Sequence, residues 1–170
     1  TLTDGTNKLQ GATVAIIKNY TTISGEAFQD ASGLTSVTIP ASVTSIGVEA
    51  FKSATNLTTV TFEAGSNCTS IGRFCFFNAR SLTTITIPAS VTRFEDTYAF
   101  LNTFSLVSIF VEDGNLNFSS IDGVLFNYDK TSLVQYPGRY ISGSDNTGTT
   151  YTIPSTCTSI GSSSFRSIRL

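Results

Sequence analysis

Alternation of apolar and polar residues is the first regularity along this chain. In Leu34-Thr35-Ser36-Val37-Thr38-Ile39, Val37 and Ile39 fall on one side and Ser36 and Thr38 on the other. Period two predicts a strand with one buried face. Pro40 ends the strand, because proline has no N–H to donate to a ladder. A second extended piece follows, Val43-Thr44-Ser45-Ile46, closed by Gly47. Ala50, Phe51 and Ala54 then come at a spacing that predicts one helical turn, too short to stand alone.

The pattern then repeats. LTSVTIPASVTSIGVEAFKSATN (34–56) is followed by LTTVTFEAGSNCTSIGRFCFFNARS (57–81), LTTITIPASVTRFEDTYAFLNTFS (82–105) and LVSIFVEDGNLNFSSIDGVLF from Leu106. The opening leucines stand 23, 25 and 24 residues apart. An earlier copy covers 11–33 and a late one 151–165. From Ile to Phe the interval is five residues in Ile23/Phe28, Ile46/Phe51, Ile71/Phe76, Ile121/Phe126 and Ile160/Phe165, and six from Phe94 to Phe100. Fixed core spacing with insertions confined to loops is the mark of a solenoid, whose coils bury their apolar sides only by stacking. The expected inward ladders are Ile16, Ile39, Phe62, Ile87, Val111, Ile153 and Phe28, Phe51, Phe76, Phe100, Phe126, Phe165.

LTSVTIPASVTSIGVEAF closely resembles the BspA-like leucine-rich repeats, and the resemblance runs from about Val14 to Phe165. The stretch IDGVLFNYDKTSLVQYP (121–137) is similar to that family's irregular unit, in which a hairpin, Val124–Phe126 against Leu133–Tyr136, replaces the helical turn. One departure is that Ala31, Ala54 and Ala79 stand where the family often has cysteine. The expected fold is a β-rich leucine-rich repeat solenoid of about six coils, one domain over 1–170, with the irregular unit at about 121–150. The resemblance implies a surface-exposed or secreted protein that binds other macromolecules, with the first strand of each coil on the concave face. The candidate surface is then the row Ser36, Thr59, Thr84, Ser108 and the row Thr38, Thr61, Thr86, Phe110. These rows read equally well as threonine chosen for exposed strands. Phe110 is either an anchor for a partner or packed under the 123–150 excursion, the latter being favoured.

Composition narrows the function. Charged residues make up 13%, about half the usual share of roughly 25%. With ten Lys plus Arg against twelve Asp plus Glu, nothing suits the chain to a nucleic-acid backbone. The longest aliphatic stretch, Val14-Ala15-Ile16-Ile17, is far short of the roughly 18 residues of a membrane-spanning helix. Hydroxyls replace charge: 27 Thr and 23 Ser. There is no histidine, which removes the commonest general acid–base and the commonest metal ligand, so no catalytic site, cofactor or metal is expected. Cys68, Cys75 and Cys157 occupy small inward positions and are expected as buried free thiols. Asp113-Gly114-Asn115-Leu116-Asn117 begins like a calcium loop but has Phe118 where such a loop needs glycine and Val124 where it needs glutamate, so an inter-coil loop is expected. Asn19, Asn56, Asn67 and Asn117 head glycosylation sequons, a number that chance alone supplies in so hydroxyl-rich a chain.

The favoured reading is a non-enzymatic extracellular or cell-surface module for adhesion or protein binding, whose partner is a protein or glycan on another cell or matrix. The alternative is a structural protein that stacks head to tail through its solenoid ends. Phe165-Arg166-Ser167-Ile168-Arg169-Leu170 stops on the leucine that would open another coil. The expectation is that further repeats or a second copy cover this edge. Thr1 to Gln10 is polar enough to cover the other edge in part, and carries no charged-then-apolar leader pattern. Either a leader has been removed, or the chain is a segment of a longer protein.

Overall fold

The computed structural model describes residues 13–96, 98–138 and 150–167. In chain order the strands are β1 (Val14–Ile16), β2 (Thr22–Ile23), β3 (Ser36–Ile39), β4 (Ser45–Ile46), β5 (Thr59–Phe62), β6 (Ser70–Ile71), β7 (Thr84–Ile87), β8 (Arg93–Phe94), β9 (Ser108–Val111), β10 (Phe118–Ile121), β11 (Val124–Asn127), β12 (Ser132–Gln135) and β13 (Ser159–Ile160). Three sheets result, with orders β1-β3-β5-β7-β9, β2-β4-β6-β8 and β10-β11-β12-β13. The first two are parallel throughout, each of the first four coils adding one strand to each and the fifth adding β9 to the first alone. The molecule is a β-solenoid of about six turns.

The third side of each coil is not helical, and no helix occurs among the described residues. Residues 25–30 form consecutive β-turns instead: Ala27 N donates to Ser24 O, Gln29 N to Glu26 O and Ala31 N to Phe28 O. The alternate N–H groups leave the turn for the next coil, Glu26 to Val48 O at 2.9 Å, Phe28 to Ala50 O at 2.7 Å and Asp30 to Lys52 O at 2.8 Å. The following coil repeats this through Glu49, Phe51 and Ser53. Half the N–H groups are thus drawn sideways, whereas a helix directs all of them along its own axis. The geometry requires left-handed backbone every fourth residue, at Glu26 and Asp30, Glu49 and Ser53, Phe74 and Asn78. Each such non-glycine residue costs about 1–2 kcal/mol, held in place by the bonds on either side.

The core is a column inside the coils. Phe28, Phe51, Phe76 and Phe100 stack face to face at 5.0, 5.5 and 5.5 Å. Gly47 and Gly72 sit where a Cβ would lie 2.4 Å from Gly25 N and 2.3 Å from Gly47 C, so only glycine lets the coils approach there. In the next coil Glu95 takes that place, its N–H bonding Ile71 O as Gly72 N–H bonds Ile46 O. This is the coil whose core interval is six residues.

One ladder position differs from expectation at the start of the chain. Ile16 is 73% exposed, while Ala15 and Ile17 are buried. Counting back from Ile23 by the spacing of the second coil selects Ile16, but the first loop is one residue shorter. A slip of one residue in a strand exchanges its faces.

The second departure follows β9. Phe118–Ile121, Val124–Asn127 and Ser132–Gln135 form an antiparallel meander, one strand more than the expected hairpin. Asp122 and Gly123 make its first turn with φ of 52° and 79°. That turn lies on the edge of β9: Ile109 N donates to Gly123 O at 2.8 Å and Val111 N to Ser120 Oγ at 3.2 Å. Phe126 therefore leaves the phenylalanine column and joins a second core with Val124, Leu133 and Tyr136, against which Ile153 and Phe165 pack half-buried. Leu125 still faces the first core, so β11 is a wall common to both. Parallel pairing resumes with Leu133 opposite Ile160, and Tyr136 packs its ring against Phe165 at 4.9 Å. Tyr136 N donates to Ser164 O as Phe51 N does to Cys75 O, so Tyr136 holds the aromatic position of its coil. Residues 1–12, 139–149 and 168–170, with the expectations placed on them, lie outside the described residues.

Carboxylates complete the stack at two corners. Glu63 accepts from Ala41 N, and Glu112 from Ala89 N, each at 3.0 Å.

Candidate interaction surface

The threonines divide into two groups by what their hydroxyls do. In the first, the hydroxyl donates to a carbonyl of the preceding coil: Thr35 to Thr13 O, Thr58 to Thr35 O and Thr83 to Thr58 O in one column, Thr44 to Thr21 O, Thr69 to Thr44 O and Thr92 to Thr69 O in another. Those carbonyls also take a backbone N–H, using both lone pairs. These hydroxyls belong to the scaffold.

The second group lies on the open face of the five-stranded sheet. Register places Ser36 beside Thr59, Thr59 beside Thr84 and Thr84 beside Ser108; Thr38 lies beside Thr61 and Thr86 beside Phe110. The first expected row is therefore continuous, and the second is paired at Thr38–Thr61 and at Thr86–Phe110. Thr38, Thr59, Thr61, Thr84 and Thr86 are exposed, Ser36 and Ser108 half-buried. Apart from a 3.3 Å contact between the hydroxyls of Thr58 and Thr59, none of these side chains hydrogen-bonds to another described residue. Phe110 is 48% exposed; most of the 123–150 excursion that was expected to cover it, residues 139–149, lies outside the described residues. The rows also extend further than the repeat predicts. Val14 pairs with Ser36 and Ile16 with Thr38, and both are exposed. The signal for them was the alternation in Val14-Ala15-Ile16-Ile17, hidden by the shortened loop. Ten positions across five strands thus carry hydroxyl or apolar groups and no charge.

The other candidates resolve into structure. Cys68 and Cys75 are fully buried and all three cysteines are unpaired, but Cys157 is only half-buried because it belongs to the last described coil. Burial raises the Cys68 thiol to about 11, and raises Cys75 well above its usual range, with Cys68 adding to it. Both are inert thiols at neutral pH. Cys68 and Cys157 do share a coil position: each thiol points at the carbonyl two residues on, Ser70 O at 3.6 Å and Ser159 O at 3.1 Å. In the calcium-like loop, Asn115 is buried. Its Nδ2 donates to Pro88 O and Val91 O and its Oδ1 accepts from Asn117 N and Phe118 N. All its bonding capacity goes to the backbone, which fits the inter-coil loop. Asn19, Asn56, Asn67 and Asn117 are all exposed. Asn56 Nδ2 donates to Ser32 O and Asn67 Nδ2 to Ala41 O, so these two also brace the stack. Among the described residues no helix is long and apolar enough to cross a membrane.

Solved structures with this architecture come from bacteria. The chain superposes on a pneumococcal vaccine antigen, PcpA, with a TM-score of 0.74 and 34% identity over 85% of this chain and 34% of that one. A leucine-rich repeat protein from Eubacterium ventriosum gives 0.65 and 30% over 85% of this chain and 42% of the other. One from Bacteroides capillosus gives 0.53 and 31% over 60% and 78%. The chain thus spans about a third of the first and two-fifths of the second. No curated protein sequence matches it. The sequence profile described as BspA type leucine rich repeat region matches residues 7–133 in six copies. The chain belongs to the BspA-type leucine-rich repeat family.

Proposed function

We propose that this chain is a non-enzymatic recognition module displayed outside the cell, which holds a partner macromolecule against the open face of its five-stranded sheet. The observation that carries this reading is the division among the threonines. Two columns of threonine hydroxyls bond carbonyls of the preceding coil, yet Thr38, Thr61, Thr84 and Thr86 stand unengaged near exposed Phe110, Val14 and Ile16. Hydroxyls with apolar anchors at the two ends suit a partner recognised by hydrogen bonds and shape. Similarity to a vaccine antigen supports a place outside the cell. With no charge on the face, binding should weaken little between low and physiological salt.

Saturable binding of the labelled chain to epithelial cells or matrix-coated plates tests it. Thr61→Arg with Thr84→Arg should lower the binding about tenfold or more, the size expected when a central contact is blocked. Glu26→Arg, on the turn side, should leave it unchanged. Absence of binding, or equal loss in both variants, refutes the reading.

A second reading is end-to-end self-assembly. Ile160 is 53% exposed, whereas Ile46, Ile71 and Leu133 at its position are buried. Among the described residues β13 pairs only with β12. An apolar side chain beside an open strand edge is a template for another coil. Light scattering across concentrations separates the two readings, since assembly alone raises the mass without a ligand.

A further inference from the structure

Where the solenoid loses its regularity it leaves an open cleft of about 450 Å3. One wall is the loop Glu112-Asp113-Gly114 after β9, the other the tip Tyr128-Asp129-Lys130 between β11 and β12, with Phe118 between them. Both walls are fixed from behind. Asn115 locks the loop through four hydrogen bonds. Asn127 locks the tip, accepting from Ser132 N and donating to Thr131 Oγ1. Tyr128 N donates to Asn117 O at 2.9 Å and ties the walls together. A site so held loses little entropy when a ligand enters.

Three charged side chains of the lining are not used by the fold. Glu112 is engaged with Ala89 N, but Asp113, Asp129 and Lys130 form no ion pair or hydrogen bond through their side chains with other described residues. Tyr128 is 51% exposed. We propose that this cleft binds a neutral saccharide of one or two rings. Two uncommitted carboxylates accept hydrogen bonds from vicinal hydroxyls, which are stronger for being charge-assisted. The ammonium of Lys130 donates to a hydroxyl or ring oxygen. Tyr128 offers an aromatic surface whose negative face suits the C–H side of a sugar ring. Three carboxylates, Glu112, Asp113 and Asp129, outweigh the one ammonium of Lys130, so the cleft repels an anionic ligand. Few polar groups converging on a shaped cavity is the general form of a small-ligand site. The cleft is separate from the open sheet face, so the two proposals stand or fall apart.

The test is an amide NMR titration of the full chain with maltose, cellobiose, lactose and N-acetylglucosamine, each to about 100 mM, enough to saturate a millimolar site. Saturable shifts confined to residues 112–119 and 127–131 are expected with at least one sugar. Tyr128→Ala and Asp129→Asn, both at exposed positions, should each weaken the binding about tenfold while distant amides keep their positions. Glucuronate, which is anionic, should bind less well than the neutral sugars. Absence of shifts from every neutral sugar, shifts that survive both substitutions, or preference for the anionic sugar each overturns the proposal.

Discussion

Residues 13–112 and residues 113–167 solve the same problem by different means. In the first, translation from coil to coil gives nearly every backbone group the same partner, and Ser70 and Thr103 are the two buried polar residues among those described there. In the second, translation is interrupted, and Asn115, Gln135, Ser163, Ser164 and Ser167 are all buried. Their bonds go where the ladder would have gone. Gln135 donates to Tyr136 O and Ser164 O, Ser164 Oγ bonds Leu133 O and Gly161 O, and Ser167 Oγ bridges Phe100 O and Asn102 N. Repetition thus replaces dedicated polar side chains, and every break in it needs one made for the purpose.

The strongest challenge to this contrast is in the regular half. Phe76→Ala removes the middle ring of the aromatic column and should lower stability by about 3–5 kcal/mol in a denaturant titration. A loss near zero would mean that the column does not carry the stack. Next comes the irregular half. Asn115→Ala should cost about 2–3 kcal/mol by leaving two N–H groups without partners. Hydrogen exchange should speed up first at residues 113–138, because the repeating ladder does not pass through this loop. Uniform loosening of the whole chain would erase the distinction between the halves.

Much of the regular half was legible in the chain. Leucine, isoleucine and phenylalanine spacing shows the coils, because core positions tolerate no insertion. The tandem turns were not. Ala50-Phe51-x-x-Ala54 fits a helical face equally well, and nothing in Glu26, Glu49 or Phe74 marks left-handed backbone. Asp122-Gly123 did carry a readable hairpin signal, since both residues suit the positive φ of a tight turn. The open-face rows were visible as threonines at fixed spacing, but their extension to Val14 and Ile16 depended on one missing loop residue. The cleft had no linear signature, because its two walls meet only after the meander folds onto β9.

A smaller effect separates the halves by pH. Cys68 ionises near 9.0 when unfolded and near 11 when buried, so the folded state holds its proton more tightly. That stability is fully present below about pH 9 and is lost as pH rises through about 11, on the order of 2 kcal/mol. Cys75 acts in the same direction. Cys68→Val with Cys75→Ala, using residues found at these places in neighbouring coils, should flatten the alkaline limb of the melting temperature. An unchanged limb would place the sensitivity outside the regular half. The smallest effect has the opposite sign. Glu26→Gly relieves a left-handed residue whose side chain is exposed, and should stabilise by about 0.5–1 kcal/mol in a thermal melt. Destabilisation there would show that the tandem turns are not strained.

The two corner carboxylates have a consequence for how such a chain grows. Ala41 follows Pro40 and Ala89 follows Pro88, and each of these N–H groups is answered by a glutamate in the next coil, Glu63 and Glu112. Proline coils and glutamate coils therefore alternate from the second to the fifth. Duplicating or deleting two adjacent coils keeps every such pair matched, while changing the count by one sets like beside like and leaves an amide unanswered. The structural unit of this part of the solenoid is thus two coils long, so adding or removing a pair of coils should disturb these corner contacts less than adding or removing one.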